Sequence, residues 1–121
     1  MEYKRLGQSG LNVSRIIVGC MGFGDPSRGT QEWVLGLDEA RPIIRQALEA
    51  GITTFDTANV YSLGASEEIV GTILGELTGR DKVILATKVF YPMGGRTRIL
   101  VKIVTIQKGY AVAESEADLV E

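Results

Sequence analysis

The chain has 121 residues, a formal net charge of −2 and 45% hydrophobic residues, which suits a single soluble globular unit. The mild acidity and the lack of a Lys/Arg cluster argue against nucleic acid as a partner. No apolar run approaches the ~20 residues that a membrane-spanning helix needs, so we expect no membrane association.

The cysteine content and the first residues suggest where the protein resides. Cys20 is the single cysteine, which excludes a disulfide within the chain and suits a reducing compartment. Residues 1–5 are polar and lead straight into a turn, so we expect no signal peptide. The sequence therefore predicts a cytoplasmic protein.

A β-hairpin is predicted at the start of the chain. Residues 3–6 and 12–14 flank a turn-rich link at residues 7–10, which contains two glycines and a serine. Residues 16–19 follow as the first parallel strand. They form a continuous apolar run, which is typical of a strand buried on both faces.

The glycines at residues 19–24 are spaced G-x-x-G-x-G. A dinucleotide fingerprint needs G-x-G-x-x-G and a helix directly after it, so this motif is excluded. Residues 25–37 are predicted to be a long polar loop, and loops after parallel strands commonly form functional sites. Trp33 in this loop either lines a substrate pocket or packs within the loop.

Two serines and the cysteine are poor candidates for a nucleophile. The chain contains no histidine that could activate Cys20, whose neighbours are apolar residues and glycine. Ser62 and Ser66 likewise lack a base and a nucleophile-elbow sequence. We therefore expect Cys20 to be an inert, buried side chain.

Residues 38–50 are predicted to form the first helix. Pro42 lies near its first turn, and Gly51 ends it. Its apolar stripe consists of Ile43, Ile44, Ala47 and Leu48.

The second helix is predicted to start at Ser66, with Glu67 and Glu68 in its first turn, where the helix dipole favours negative charge. Gly79 is its predicted stop. Its apolar face consists of Ile69, Val70, Ile73, Leu74 and Leu77. The two helices alternate with three strands, which predicts a parallel sheet.

Polar residues follow two of the predicted strands. Asp56 and Tyr61 come after the run at residues 52–55, and Lys88 comes after the run at residues 83–86. Carboxyl ends of parallel strands meet at one edge of a sheet, where ligands bind. An ammonium beside a phenol favours the phenolate, and a carboxylate holds the ammonium charged and oriented. The alternative is an ordinary Lys–Asp ion pair with a tyrosine at the rim of the core.

Several long motifs occur in a fixed order: G-I-T-T-F-D-T-A-N-V-Y at residues 51–61, S-E-E-I-V-G at residues 66–71 and A-T-K-V-F at residues 86–90. Together they closely resemble the aldo-keto reductases, and most of all the branch that includes the potassium-channel β-subunits and many bacterial reductases. Residues 6–15 also resemble the N-terminal hairpin of that family. The resemblance covers roughly residues 1–94.

This resemblance implies an α/β fold: part of a (β/α)8 TIM barrel, with the N-terminal hairpin at its bottom, about three strands and two helices. A complete barrel takes about 250 residues. We therefore expect a truncated barrel, with residues 1–94 as the N-terminal part of an aldo-keto reductase domain. Residues 95–121 remain an unassigned tail, which a frameshift or wrong gene boundary would explain. The alternative is an extension that pairs with an exposed sheet edge.

The resemblance also implies an oxidoreductase that reduces aldehydes and ketones with NADP(H). Tyr61 would be the general acid and Asp56 and Lys88 its partners, while Cys20, Met21 and Asp56 would lie near the nicotinamide. The histidine of the family's catalytic tetrad has no counterpart, because the chain has no histidine. Activity and cofactor binding by this chain alone are therefore not expected.

Two non-catalytic alternatives follow from the same incompleteness. The chain could be a partial barrel that binds a complementary chain, or a truncated product without a role. An open parallel sheet presents unpaired backbone groups, so self-association through its exposed edges is expected.

Overall fold

A computed structural model of the chain describes residues 1–89, 91 and 93. The described strands are β1 (Tyr3–Arg5), β2 (Asn12–Ser14), β3 (Val18–Gly19), β4 (Thr54–Asp56) and β5 (Ile84–Ala86). The described α-helices are α1 (Leu37–Glu49) and α2 (Ala65–Leu77). Short 3-10 turns lie at Tyr61–Gly64 and Arg80–Lys82.

The main sheet is parallel, with the strand order β3-β4-β5. Each helix connects two neighbouring strands, so the predicted β-α-β-α-β arrangement is confirmed. The register pairs Gly19 with Asp56 and Asp56 with Ala86. The carboxyl ends of β3, β4 and β5 therefore meet at one edge of the sheet, as parallel strands require.

The prediction that residues 16–19 form a strand buried on both faces is wrong. Strand β3 has only two residues, and Ile16 and Ile17 are 57% and 48% exposed. The strand lies at the edge of the sheet, and among the described residues the helices cover only one sheet face. An apolar run alone cannot reveal whether both faces have a covering layer.

Helix α1 differs from its prediction at two residues. Ile43 was assigned to the apolar stripe but is 42% exposed, whereas Ile44 is fully buried. Pro42 lies inside the helix just after its first turn, near the predicted place, so the difference lies in Ile43 and in the start at Leu37. The end is as predicted, because Gly51 has a φ of +82°, a left-handed conformation that glycine adopts without a Cβ clash.

Helix α2 starts one residue earlier than predicted and is preceded by Gly64. Ser66 is therefore not its cap: it is fully buried, and its hydroxyl donates to the carbonyl of Cys20. Gly79 follows Thr78, the C-cap of α2, so the helix stops where the sequence predicts, and the φ of Gly79 is −78°. The hydrogen bond from Ser66 to Cys20 ties the first turn of α2 to the end of β3.

The core lies between the sheet and the two helices. Its buried members are Cys20, Phe23, Ala40, Ile44, Phe55, Val70, Ile73, Leu74 and Val83. An ion pair between Arg41 and Glu76 links the outer parts of the two helices. Helices and strands thus share one continuous apolar cluster on this side of the sheet.

The hairpin of β1 and β2 lies at the amino ends of the parallel strands. The Tyr3 hydroxyl donates to the carbonyl of Gly51 at 2.7 Å, and the amide of Thr53 donates to the Ser14 hydroxyl at 3.2 Å. On the sheet face away from the helices, a cavity of about 480 Å³ lies between the hairpin and the strands, with Leu6, Leu11 and Ile84 in its lining. That face is open in the described part of the chain.

No helix among the described residues combines the length and the apolar character needed to cross a membrane. The tail assigned to residues 95–121 lies outside the described residues.

Candidate functional site

The three residues expected to act together follow neighbouring strands. Asp56 is the last residue of β4, and Lys88 follows the end of β5. Tyr61 opens the 3-10 turn Tyr61–Gly64, which connects β4 to α2. An amide-to-carbonyl hydrogen bond from Asn59 to Lys88, at 3.2 Å, continues the parallel contact beyond the strands and holds these segments side by side.

The Lys88 ammonium is the centre of this cluster. Its Nζ donates to Asp56 Oδ2 at 2.6 Å and to the carbonyl oxygen of Thr57 at 2.8 Å. The same Nζ lies 5.0 Å from the centre of the Tyr61 ring. The structure therefore brings all three predicted residues together at the carboxyl end of the sheet.

The surroundings of Lys88 favour its charged form. Partial burial acts to lower the pKa of Lys88, but hydrogen bonds to Asp56 and Tyr61, with the attraction of their charges, raise it above its usual value. The side chains of Lys88 and Asp56 are 48% and 41% exposed. A positive charge thus sits beside the phenol at neutral pH and is accessible to solvent.

A chain of buried hydrogen bonds holds the backbone beneath the cluster of Asp56, Tyr61 and Lys88. The amide of Cys20 donates to the carbonyl of Asp56 at 2.8 Å. The Ser66 hydroxyl donates to the carbonyl of Cys20 at 2.7 Å and lies 3.1 Å from the Thr57 hydroxyl. These contacts tie the ends of β3 and β4 to the first turn of α2, so the backbone that carries Asp56 is fixed.

Cys20 and Met21 occupy different environments. Met21 is 41% exposed, whereas Cys20 is fully buried. Burial raises the pKa of the Cys20 thiol to about 12, so the side chain stays protonated and inert, as the sequence predicted. The backbone of Cys20 lies under the site, while its side chain belongs to the core. The role of Cys20 and Met21 beside a nicotinamide stays a prediction.

The loop between β3 and α1 contains one exposed aromatic side chain. Trp33 is 59% exposed, which contradicts packing within the loop, and the alternative of lining a substrate pocket stays a prediction. Its neighbour Val34 takes the buried position instead, at 5% exposure. Of these two neighbours only Val34 is buried, so the Trp33 indole is largely exposed.

Sequence reasoning missed the structural importance of Ser62. This residue is fully buried directly after Tyr61, and its backbone is left-handed, with a φ of +51°. Its hydroxyl contacts the loop after β3. No sequence signal indicates this, because serine is not a residue typical of left-handed backbone.

Comparisons with known proteins agree with this architecture. A family model described as the aldo/keto reductase family matches residues 15–117. This range runs past residue 94, so the expected domain boundary there stays a prediction. The chain is 50% identical over 92 residues to versiconal hemiacetal acetate reductase of Aspergillus parasiticus, covering 75% of this chain and 26% of that protein. It is 46% identical over 90 residues to the aldo-keto reductase YhdN of Bacillus subtilis, covering 73% of this chain and 25% of that protein.

Solved structures show the same relationship. The holo form of the aldo-keto reductase AKR11C1 from Bacillus halodurans superposes with a TM-score of 0.58 at 40% identity, covering 74% of this chain and 26% of that structure. The fold is therefore part of an aldo-keto reductase TIM barrel, as predicted. The chain spans about a quarter of the length of these relatives.

Proposed function

Since this chain belongs to the aldo/keto reductase family, we propose that it supplies the proton-donating part of a site that reduces aldehydes and ketones with NADP(H). Tyr61 is the general acid, and Lys88 and Asp56 set its protonation and orientation. The observation that supports this most strongly is the position of the Lys88 ammonium, 2.6 Å from Asp56 Oδ2 and 5.0 Å from the centre of the Tyr61 ring.

The described residues fit one end of the cofactor. Asp56 and Met21 are both partly exposed at the carboxyl end of the sheet and offer a carboxylate and an apolar thioether to a nicotinamide. The two cations of this region, Lys88 and Arg28, are already paired with Asp56 and Glu68. We therefore assign the phosphates of the cofactor to residues outside the described part. When bound, the cofactor supplies a hydride to the carbonyl carbon.

The proton takes a separate route through this chain's own residues. As negative charge develops on the carbonyl oxygen, the Tyr61 hydroxyl transfers its proton to that oxygen, and the resulting phenolate faces the Lys88 ammonium. The ammonium stabilises this phenolate because opposite charges attract strongly at a partly desolvated site. Asp56 keeps Lys88 charged and fixed in place.

The proposal extends to the chain's behaviour alone. The 121 residues correspond to about a quarter of each relative, and they contain no histidine, so the isolated chain lacks turnover above background. A cytoplasmic location is part of the proposal, and the single, buried cysteine supports it.

Replacing Tyr61 in a completed barrel tests the proposal. Residues 1–94 are fused to the remainder of a close relative, and NADPH-dependent reduction of an aldehyde is measured in this completed-barrel chimera. Tyr61→Phe keeps the ring and removes the proton donor, so kcat should fall by about 10²–10⁴-fold.

Tyr3→Phe is the matched control, because the Tyr3 hydroxyl is bonded to Gly51 at the opposite end of the strands. This variant should retain the parent kcat. An unchanged kcat in Tyr61→Phe would eliminate Tyr61 as the acid and leave the ordinary ion pair as the explanation of the cluster.

A non-catalytic partial barrel is the second candidate. The apolar cavity of about 480 Å³ on the open sheet face favours it, because such a face requires a covering layer. Under this candidate the chain binds a complementary chain or another copy of itself.

A further inference from the structure

The turn that follows Tyr61 has an unusual backbone. Ser62 and Leu63 are both left-handed, with φ of +51° and +49°. Side chains other than glycine, asparagine and aspartate rarely adopt this conformation, and holding one there costs about 1–3 kcal/mol. Contacts elsewhere must therefore stabilise this turn.

The Ser62 hydroxyl provides these contacts. Its Oγ accepts a hydrogen bond from the amide of Asp25 at 2.9 Å. Its single proton is shared between the carbonyl oxygens of Asp25 and Arg28, which lie 2.8 and 2.9 Å away. Since Ser62 is fully buried, losing this hydroxyl would leave backbone polar groups of the loop without their partner.

The loop after β3 closes tightly around this side chain. A Cβ on Gly24 would lie 2.5 Å from the Cβ of Ser62, so the approach requires glycine at this position. The Arg28 guanidinium donates to the carbonyl of Leu63 at 2.6 Å and to Glu68 at 2.7 Å. We name residues 24–28 the clasp, because they hold the turn on both sides.

We propose that Ser62 is a positioning residue for Tyr61: its buried hydroxyl locks the left-handed turn to the clasp and thereby fixes the phenol beside Lys88. This inference rests on the proposed role of Tyr61 as the proton donor. Tyr61 precedes Ser62 directly, so a rotation of the Ser62 backbone out of the left-handed region redirects the Tyr61 ring. Misplacing a reacting group by about 1 Å can reduce turnover by as much as 10²-fold.

Two substitutions separate the hydroxyl from the backbone. Ser62→Ala removes the hydroxyl and keeps the left-handed strain, while Ser62→Gly removes both. In the completed-barrel chimera, both variants should lower kcat by about 10- to 100-fold and leave KM nearly unchanged. If only the backbone shape mattered, Ser62→Gly would retain the parent kcat, and that result would overturn the proposal.

Ser14→Ala is the matched control. Ser14 is also buried, at 1% exposure, and its hydroxyl also joins two segments, through Ile16 and Thr53. It lies at the amino ends of the strands, so its loss should lower the melting temperature without changing kcat. A fall in kcat equal to that of Ser62→Ala would assign both effects to general destabilisation and contradict the proposal.

A double-mutant cycle distinguishes failure of this inference from failure of the proposed function. In a Tyr61→Phe background, Ser62→Gly should produce no further loss of kcat, since there is no proton donor left to position. The same loss in both backgrounds would show that Ser62 does not act through Tyr61. If Tyr61→Phe alone leaves kcat unchanged, the proposed function itself fails. If Tyr61→Phe lowers kcat but Ser62→Gly does not, only the positioning role of Ser62 fails.

Discussion

The cluster of Lys88, Asp56 and Tyr61 depends on charge as well as on distance. Because the pKa of Lys88 is raised above its usual value of 10.5, the lysine carries its charge throughout the neutral and mildly alkaline range. Its contribution to folding stability is fully present below that usual value and is lost as the pH rises through the raised value. The positive charge of Lys88 beside Asp56 is therefore constant through the neutral range.

For single residues, the sequence predicts which side chains come together better than it predicts their backbone conformation. The approach of Lys88 to Asp56 follows from two parallel strands ending together, which the motif order indicates. The left-handed backbone of Ser62 depends on the clasp, which lies far away in the sequence. A local pattern does not carry that information.

At the scale of elements, alternation of helices and strands was predictable because apolar periodicity and glycine stops are local. Which apolar side chains are buried was less predictable. Ile43 and Ile44 have the same side chain, yet only Ile44 belongs to the core, since burial depends on how the helix is rotated against the sheet. Strand β3 was overestimated because its apolar residues lack a covering layer in the described part.

The end of α1 provides a test at this scale. Gly51 has a φ of +82°, and a Cβ there would lie 3.0 Å from the Cβ of Met1. Gly51→Ala should lower the free energy of unfolding of the completed-barrel chimera by about 1–2 kcal/mol in urea, owing to left-handed strain. Gly51→Asn is the control, because asparagine tolerates this conformation, and it should lose less. Equal losses for both variants would mean that backbone strain does not determine the effect.

At the scale of the whole molecule, the described part of the chain covers one face of its sheet and leaves the other open. The helices bury the first, while the second lies against the apolar cavity beneath the hairpin. The resemblance of the sequence motifs to a longer barrel predicts an incomplete barrel, and this stays a prediction. The described residues therefore place the proposed acid at the carboxyl end of a sheet that they cover on one face.

The isolated chain should consequently self-associate. Exposed apolar side chains such as Ile16 and Ile17 favour association, and a small core gives little net stability. Size-exclusion chromatography of the 121-residue chain should show species larger than a monomer, with a broad thermal transition. A compact monomer that unfolds in one sharp, cooperative transition would contradict this expectation.

The dependence of kcat on pH in the Lys88→Met chimera tests the central claim most directly. If Asp56, Tyr61 and Lys88 form one proton-transfer unit, loss of the ammonium makes the phenolate harder to form. The variant's kcat should then fall, and the alkaline limb of its pH profile should move to higher pH. Lys82→Met, which removes an exposed charge from the turn before β5, should leave the profile unchanged. A Lys88→Met profile that coincides with this control in both height and position would contradict the account.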